Sequence, residues 1–200
     1  QSIVQIGMLL GQSVINSFGS TAIAGYSAGM RIESLSIVPM LAMGNAMSTF
    51  TAQNMGAGKI DRVKEGYRMC YVIVLTAGAV LCVMYQLAGG AFVSLFLDSG
   101  SSEAYSVGLS YVKFLSFFYS FIGLKASTDG LLRGAGDVTA FTVANLVNLA
   151  IRVSVTNLFA PIYGIQVAWM AVPLGWAANY VISFGWYLTG KWKKVRVIKK

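Results

Sequence analysis

The chain has 200 residues, of which 56% are hydrophobic and only 11% are charged. Soluble domains carry about 25% charged residues, so this composition argues against a soluble helical protein, whose surface would need more charge. A net charge of +8 can indicate nucleic-acid binding, but the basic residues lie between hydrophobic runs, and we expect no nucleic-acid partner. The chain has no histidine, so metal sites and Cys–His chemistry are poorly supported.

Six hydrophobic runs follow one another, and each has at least the roughly 20 residues that a helix needs to cross a bilayer. They cover residues 3–25, 32–55, 69–97, 105–128, 138–160 and 165–188. None shows the alternation of polar and apolar residues that is typical of a membrane strand. We therefore predict an all-α integral membrane protein, with a six-transmembrane-helix bundle over residues 1–190 and a basic tail over residues 191–200. The first connection between spans is predicted at residues 27–31.

The basic residues predict the orientation of this bundle. Eleven of the fifteen lie on alternate connections or in the tail: Lys59, Arg62, Lys64, Arg68, Arg133, Lys191, Lys193, Lys194, Arg196, Lys199 and Lys200. The opposite connections carry Arg31 beside the acids Glu33, Asp98 and Glu103. Because cytoplasmic connections are enriched in lysine and arginine, we expect a multi-pass protein of the cell membrane. Both chain ends, the basic tail included, are expected in the cytoplasm.

Polar residues inside the predicted spans are the candidates for a functional site. In the fifth run, Asn145, Asn148 and Arg152 recur at helical spacing and share one face. This stripe predicts either the wall of a hydrated transport cavity or a hydrogen-bonded seam between helices, and the sequence favours neither. Gln12 and Asn16 in the first run and Lys113 in the fourth are further candidates for the cavity, as a charged group at membrane depth should face protein or water.

Lys125 and Asp129 lie four residues apart in or beside the fourth run. This spacing allows an ion pair on one helical face, and the alternative is a role in ion coupling. Asp129 is expected to be the only carboxylate inside a span. Paired catalytic carboxylates, a nucleophile elbow, a phosphate-binding loop and a metal cluster are not recognisable in the sequence. We therefore expect a transport protein rather than an enzyme, without a cofactor.

Two stretches resemble the MATE family, the multidrug and toxic compound extrusion transporters. The first contains IAGY at 23–26, Pro39, STFTAQNMGAGK at 48–59 and DR at 61–62, and the second is GLLRGAGD at 130–137. Their order resembles the C-terminal half of such a transporter, and the resemblance covers essentially the whole chain. It implies a twelve-helix protein of two six-helix lobes, in which this chain supplies helices seven to twelve. Its partners would be the N-terminal lobe and the lipid bilayer.

The resemblance further implies a central cavity that opens alternately to either side of the membrane. Influx of sodium ions or protons would drive the export of small, cationic, amphipathic organic compounds. Some members carry cation-site carboxylates in helices seven and ten, but the matching helix-ten position here is near Ile122. We therefore expect ion coupling to reside mainly in the other lobe. A flippase for lipid-linked or oligosaccharide cargo, a channel and a non-transporting membrane scaffold remain alternatives.

Overall fold

The computed structural model describes residues 13–98 and 102–194, and every regular element in these ranges is a helix. Six α-helices follow in chain order: α1 Ser20–Gly56, α2 Ile60–Ser94, α3 Ser102–Ser116, α4 Tyr119–Gly134, α5 Val138–Tyr163 and α6 Gln166–Leu188. A short 3₁₀ helix, Lys191–Lys194, begins the predicted tail. The prediction of an all-helical chain is therefore confirmed.

Most of these helices are long and apolar enough to cross a membrane. α1, α2, α5 and α6 each qualify alone, while α3 and α4 meet at a bend of 53° and qualify as one broken span. The described residues therefore contain up to five candidate spans. Residues 3–12 of the predicted first run, 3–25, lie outside the described residues.

The predicted first connection, at residues 27–31, is wrong. Residues 13–16 form one helical turn, the chain turns through Ser17 and Phe18, and Gly19 adopts a positive φ of 87° before α1 begins. α1 then continues without a break through the region predicted as a loop. The small residues there serve packing instead, because a Cβ on Gly29 would collide with the ring of Tyr111 on α3.

α4 lies at the centre of the bundle, where 12 of its 16 residues are buried. It packs against α1, α2 and α6. Its approach to α1 is the closest, since Cβ atoms on Gly130 and Gly134 would overlap the carbonyl oxygens of Gly44 and Ser48. Glycines four residues apart on one helix therefore bring two helix backbones into direct contact.

The two Gly-Ala-Gly turns of the sequence end α1 and α4 in the same way. Gly58 and Gly136 adopt positive φ angles of 71° and 82°. The next residue of each turn donates its amide back into the helix, from Lys59 to Asn54 O at 2.7 Å and from Asp137 to Leu132 O at 2.9 Å. This is the Schellman arrangement, in which glycine supplies the left-handed conformation. We call the end of the bundle with these turns the basic end.

Candidate functional site

A groove between α1, α4 and α5 brings polar side chains together near the basic end. It has a volume of about 190 Å³, and we call it the polar groove, with the polar lining residues Asn45, Lys125, Asp129, Arg133 and Asn145. Two larger cavities of the described residues, of about 310 and 270 Å³, are lined mainly by phenylalanine, methionine and aliphatic side chains. The polar groove is therefore the better candidate for binding a polar or charged solute.

A buried ion pair lies at the wall of the polar groove. The Nζ atom of Lys125 lies 2.8 Å from Oδ2 of Asp129, and their side chains are only 11% and 7% exposed. Asn145 on α5 bridges the pair, since its Oδ1 accepts from Lys125 at 3.1 Å and its Nδ2 donates to Asp129 at 3.2 Å. Ser183 on α6 donates to the other carboxylate oxygen at 2.7 Å. The charges of Lys125 and Asp129 are thus mutually compensated, and the network joins three helices.

Arg133 lies at the exposed edge of the polar groove. Its Nη2 donates to Oδ1 of Asn45 on α1 at 2.7 Å. Its guanidinium carbon lies 5.7 Å from the centre of the Phe141 ring on α5, within the range of a cation–π contact. Arg133 therefore connects both walls of the groove. This structural role accounts for the arginine in the GLLRGAGD sequence.

A second polar cluster surrounds Glu33, nearer the opposite end of the bundle. The hydroxyl of Tyr111 on α3 donates to Oε2 of this buried carboxylate. The Tyr111 ring packs edge-on against Tyr26 and Trp169, with ring centres 5.3 and 5.6 Å away. Arg152 on α5 acts electrostatically on both Glu33 and Tyr26. We call Tyr26, Glu33, Tyr111, Arg152 and Trp169 the Glu33 cluster.

The predicted polar stripe on α5 divides between these two places. Asn145 belongs to the polar groove, whereas Arg152 belongs to the Glu33 cluster. Asn148 lies between them against α6, where a Cβ on Gly175 would overlap its Oδ1. That oxygen is buried and has no hydrogen-bond partner among the described residues. The three residues of the stripe therefore have different surroundings, and a cavity wall and a seam between helices both stay predictions.

Of the remaining predicted site residues, Lys125 and Asp129 form an ion pair in the polar groove. Lys113 and Asn16 lie apart from the groove. Lys113 lies along α2, where its Cγ would be 3.8 Å from a Cβ on Gly89. Its carbonyl accepts a hydrogen bond from Gln86 at 2.8 Å. Asn16 is exposed, and Gln12 lies outside the described residues. Lys113 is thus not brought together with Asn145 in this structure.

Glu33 is the functional candidate that the sequence reasoning missed. Glu33 falls at the start of the predicted run 32–55 but is counted there with the acids of a connection. Since it lies buried within α1, the expectation that Asp129 is the only carboxylate within a span is wrong. The spacing along α1 indicates that Glu33 is buried. A residue of the same helix face recurs every three or four positions, and all four are buried: Gly29, Glu33, Ser36 and Met40. A charged residue in register with small and apolar residues indicates a helix face that points into the protein.

The comparisons with known proteins agree with this architecture. The chain matches the MatE family over residues 1–159. It is 29% identical over 192 residues to the "Probable multidrug resistance protein YpnP" of Bacillus subtilis (strain 168), an alignment that covers 96% of this chain and 43% of that relative.

Two solved structures have a similar fold. One is the outward-facing conformation of a multidrug resistance MATE family transporter, with a TM-score of 0.84 and 18% identity over 94% of this chain and 42% of that one. The other is an inward-facing conformation of such a transporter, with a TM-score of 0.82 and 17% identity over 92% and 42% of the two chains. The chain therefore spans less than half the length of the proteins that it matches.

Proposed function

Because the chain belongs to the MatE family, whose transporters are multi-pass membrane proteins, we propose that it is the second six-helix lobe of a multidrug exporter. The predicted fold, one six-helix lobe of a MATE-like transporter, is confirmed by the fold that it shares with solved transporters. The relative from Bacillus subtilis is described as a probable multidrug resistance protein. We propose cationic, amphipathic organic compounds as the exported cargo.

The polar groove is the observation that carries this proposal. Lys125 is neutralised by Asp129 at 2.8 Å, and Arg133 lies at the exposed edge of the groove, bonded to Asn45. The inner wall therefore adds no net positive charge that would repel a cationic compound. Asn45 and Asn145 supply amide groups, and Phe141 supplies an aromatic face. A flippase for anionic cargo would instead need several uncompensated cations. Among the described residues, Arg133 is the one such cation that lines the groove, and Lys113 lies on a different side of the bundle. The geometry thus favours an exporter over the flippase alternative.

Export is expected to be driven by sodium ions or protons and to be saturable. The test uses the full-length protein in proteoliposomes with an imposed ion gradient and ethidium as the lipophilic cation. Asn145→Ala should slow export roughly tenfold, because it removes hydrogen bonds to both charges of the pair, worth about 1.5–3 kcal/mol. Initial rates measured across ethidium concentrations give the comparison.

Asn157→Ala is the matched control for Asn145→Ala. Both asparagines lie on α5 and donate from Nδ2 to the carbonyl four residues earlier at 2.8 Å, but Asn157 lies outside the polar groove. Its export rate should equal that of the unaltered protein. Flux that rises linearly without saturation would indicate a channel, absence of flux would indicate a scaffold, and movement of lipid-linked cargo alone would indicate a flippase.

We propose that the basic end faces the cytoplasm of the cell. Exposed cations are concentrated there, namely Lys59, Arg62, Arg68, Arg133, Lys191 and Lys193, and such residues favour the cytoplasmic side. Green fluorescent protein fused after Lys200 should fluoresce, while alkaline phosphatase at the same position should be inactive. Fusions at Asp98, near the opposite end, should give the reverse pattern. Active phosphatase after Lys200 would contradict this orientation.

A further inference from the structure

Glu33 lies deep within a helix long enough to cross the membrane. It follows Ser20 by thirteen residues and precedes Gly56 by twenty-three, so about 20 Å and about 35 Å of helix extend on either side. Its exposure is only 8%. A charged side chain at this depth is costly, and such residues in membrane helices normally have a specific partner or a transport role.

The partners of Glu33 differ from those of Asp129, the other buried carboxylate of the membrane helices. Asp129 has a lysine at 2.8 Å, whereas in the described part of the chain Glu33 has no cation within ion-pair distance. Its hydrogen-bond donor is the phenol of Tyr111. Glu33 therefore lacks the close counter-charge that compensates Asp129.

Aromatic and charged groups from several helices surround Glu33 or its direct neighbours. Tyr26 on α1, Tyr111 on α3 and Tyr119 on α4 interact with it electrostatically. The ring centre of Tyr85 on α2 lies 5.9 Å from that of Tyr119, and its hydroxyl is hydrogen-bonded to Ser36 at 2.6 Å. α6 contributes the Trp169 ring. Arg152 on α5 is the cation among these groups, and it acts on Glu33 from beyond ion-pair distance.

These surroundings suit both protonation states of Glu33. The neutral acid fits a wall of aromatic rings, because an uncharged carboxyl group pays no ionic desolvation penalty. The anion is stabilised by the Tyr111 hydroxyl and by the field of Arg152. They are less suited to a metal ion, since hard cations such as Ca²⁺ and Mg²⁺ take about six or more oxygen ligands. Here the hydroxyl of Ser36 is already hydrogen-bonded to Ile32 O at 3.0 Å and to the hydroxyl of Tyr85, so it is not available as a metal ligand.

We propose that Glu33 is a proton-binding site of this lobe, which takes up one proton as a neutral acid and releases it during the transport cycle. The role of this site in transport rests on the proposed function, whereas proton binding by Glu33 does not depend on the cargo. On release, the proton passes to water and leaves the Glu33 carboxylate facing Tyr111 and Arg152. This assigns a coupling group to the lobe, at a place other than the helix-ten position near Ile122.

Infrared spectroscopy of the full-length protein in lipid tests proton binding without any transport. The difference between low and high pH should contain the C=O stretching band of a protonated carboxylic acid. Glu33→Gln should remove this band, and Glu103→Gln, which changes an exposed carboxylate on α3, should retain it. Persistence of the whole band in a folded Glu33→Gln protein would overturn the proposal.

Tyr111→Phe provides a second variant that keeps the carboxylate and decides the matter if Glu33→Gln does not fold. It removes the hydrogen bond to the anion, so the pH at which the band is half lost should rise by about one unit. An unchanged midpoint would overturn the proposal.

Substrate-induced proton release links the site to transport. Addition of ethidium to the unaltered protein should release about one more proton than addition to Glu33→Gln. Equal release from both would overturn the coupling role. Absence of ethidium export together with an intact Glu33 band would instead contradict the proposed function and leave the proton site standing.

Discussion

Asp129→Ala is expected to destabilise the folded protein by about 3–5 kcal/mol, because it leaves the buried Lys125 without a counter-ion. The same change removes the acceptor of Ser183 on α6 and one partner of Asn145 on α5. Three helices would lose a common connection. Thermal or denaturant unfolding of the full-length protein in detergent, followed by tryptophan fluorescence, measures the loss.

The double variant Lys125→Met with Asp129→Leu separates charge from packing. Replacing both members of a buried ion pair by apolar residues of similar size is often neutral or stabilising, so the double variant should recover most of the stability. Asp61→Asn is the control for a surface pair, as Asp61 lies 2.7 Å from Lys64 but is exposed, and it should leave the unfolding midpoint unchanged. A double variant as unstable as Asp129→Ala would contradict the charge argument.

The helices were predictable because bilayer-length apolar runs mark them directly. The run predicted at residues 138–160 corresponds to α5, Val138–Tyr163, and that at 165–188 to α6, Gln166–Leu188. Hydropathy failed where small residues pack between helices. Gly29 looks like a loop residue in the sequence, but in the fold it admits Tyr111 of α3 against α1. Only the three-dimensional neighbour distinguishes the two roles.

The candidate site was predictable only within single helices. Lys125 and Asp129 were paired correctly because a spacing of four residues fixes their proximity on one helix. The approach of Arg152 to Glu33 joins two helices that are far apart in sequence. No periodicity of either helix specifies that electrostatic interaction, because it depends on the order and rotation of the helices in the bundle.

Gly130→Ala is expected to weaken the contact between α1 and α4 and to cost about 1–3 kcal/mol, as overpacking of a well-packed interior does. The added Cβ would overlap the carbonyl oxygen of Gly44, and a backbone atom cannot rotate away as a side chain can. The two helices would have to separate, which would also move Asn45 away from Arg133 at the edge of the polar groove. We therefore expect both the unfolding midpoint and the ethidium export rate to fall.

Gly185→Ala on α6 is the matched control, since a Cβ at this helical position meets no atom within 4 Å. Alanine is preferred over glycine in a helix by about 1 kcal/mol, so this change should leave stability unaltered or raise it. Opposite responses to the same substitution would show that Gly130 is required for close approach rather than for backbone flexibility. A Gly130→Ala protein as stable and as active as Gly185→Ala would contradict the backbone contact between α1 and α4, and with it the shape of the polar groove.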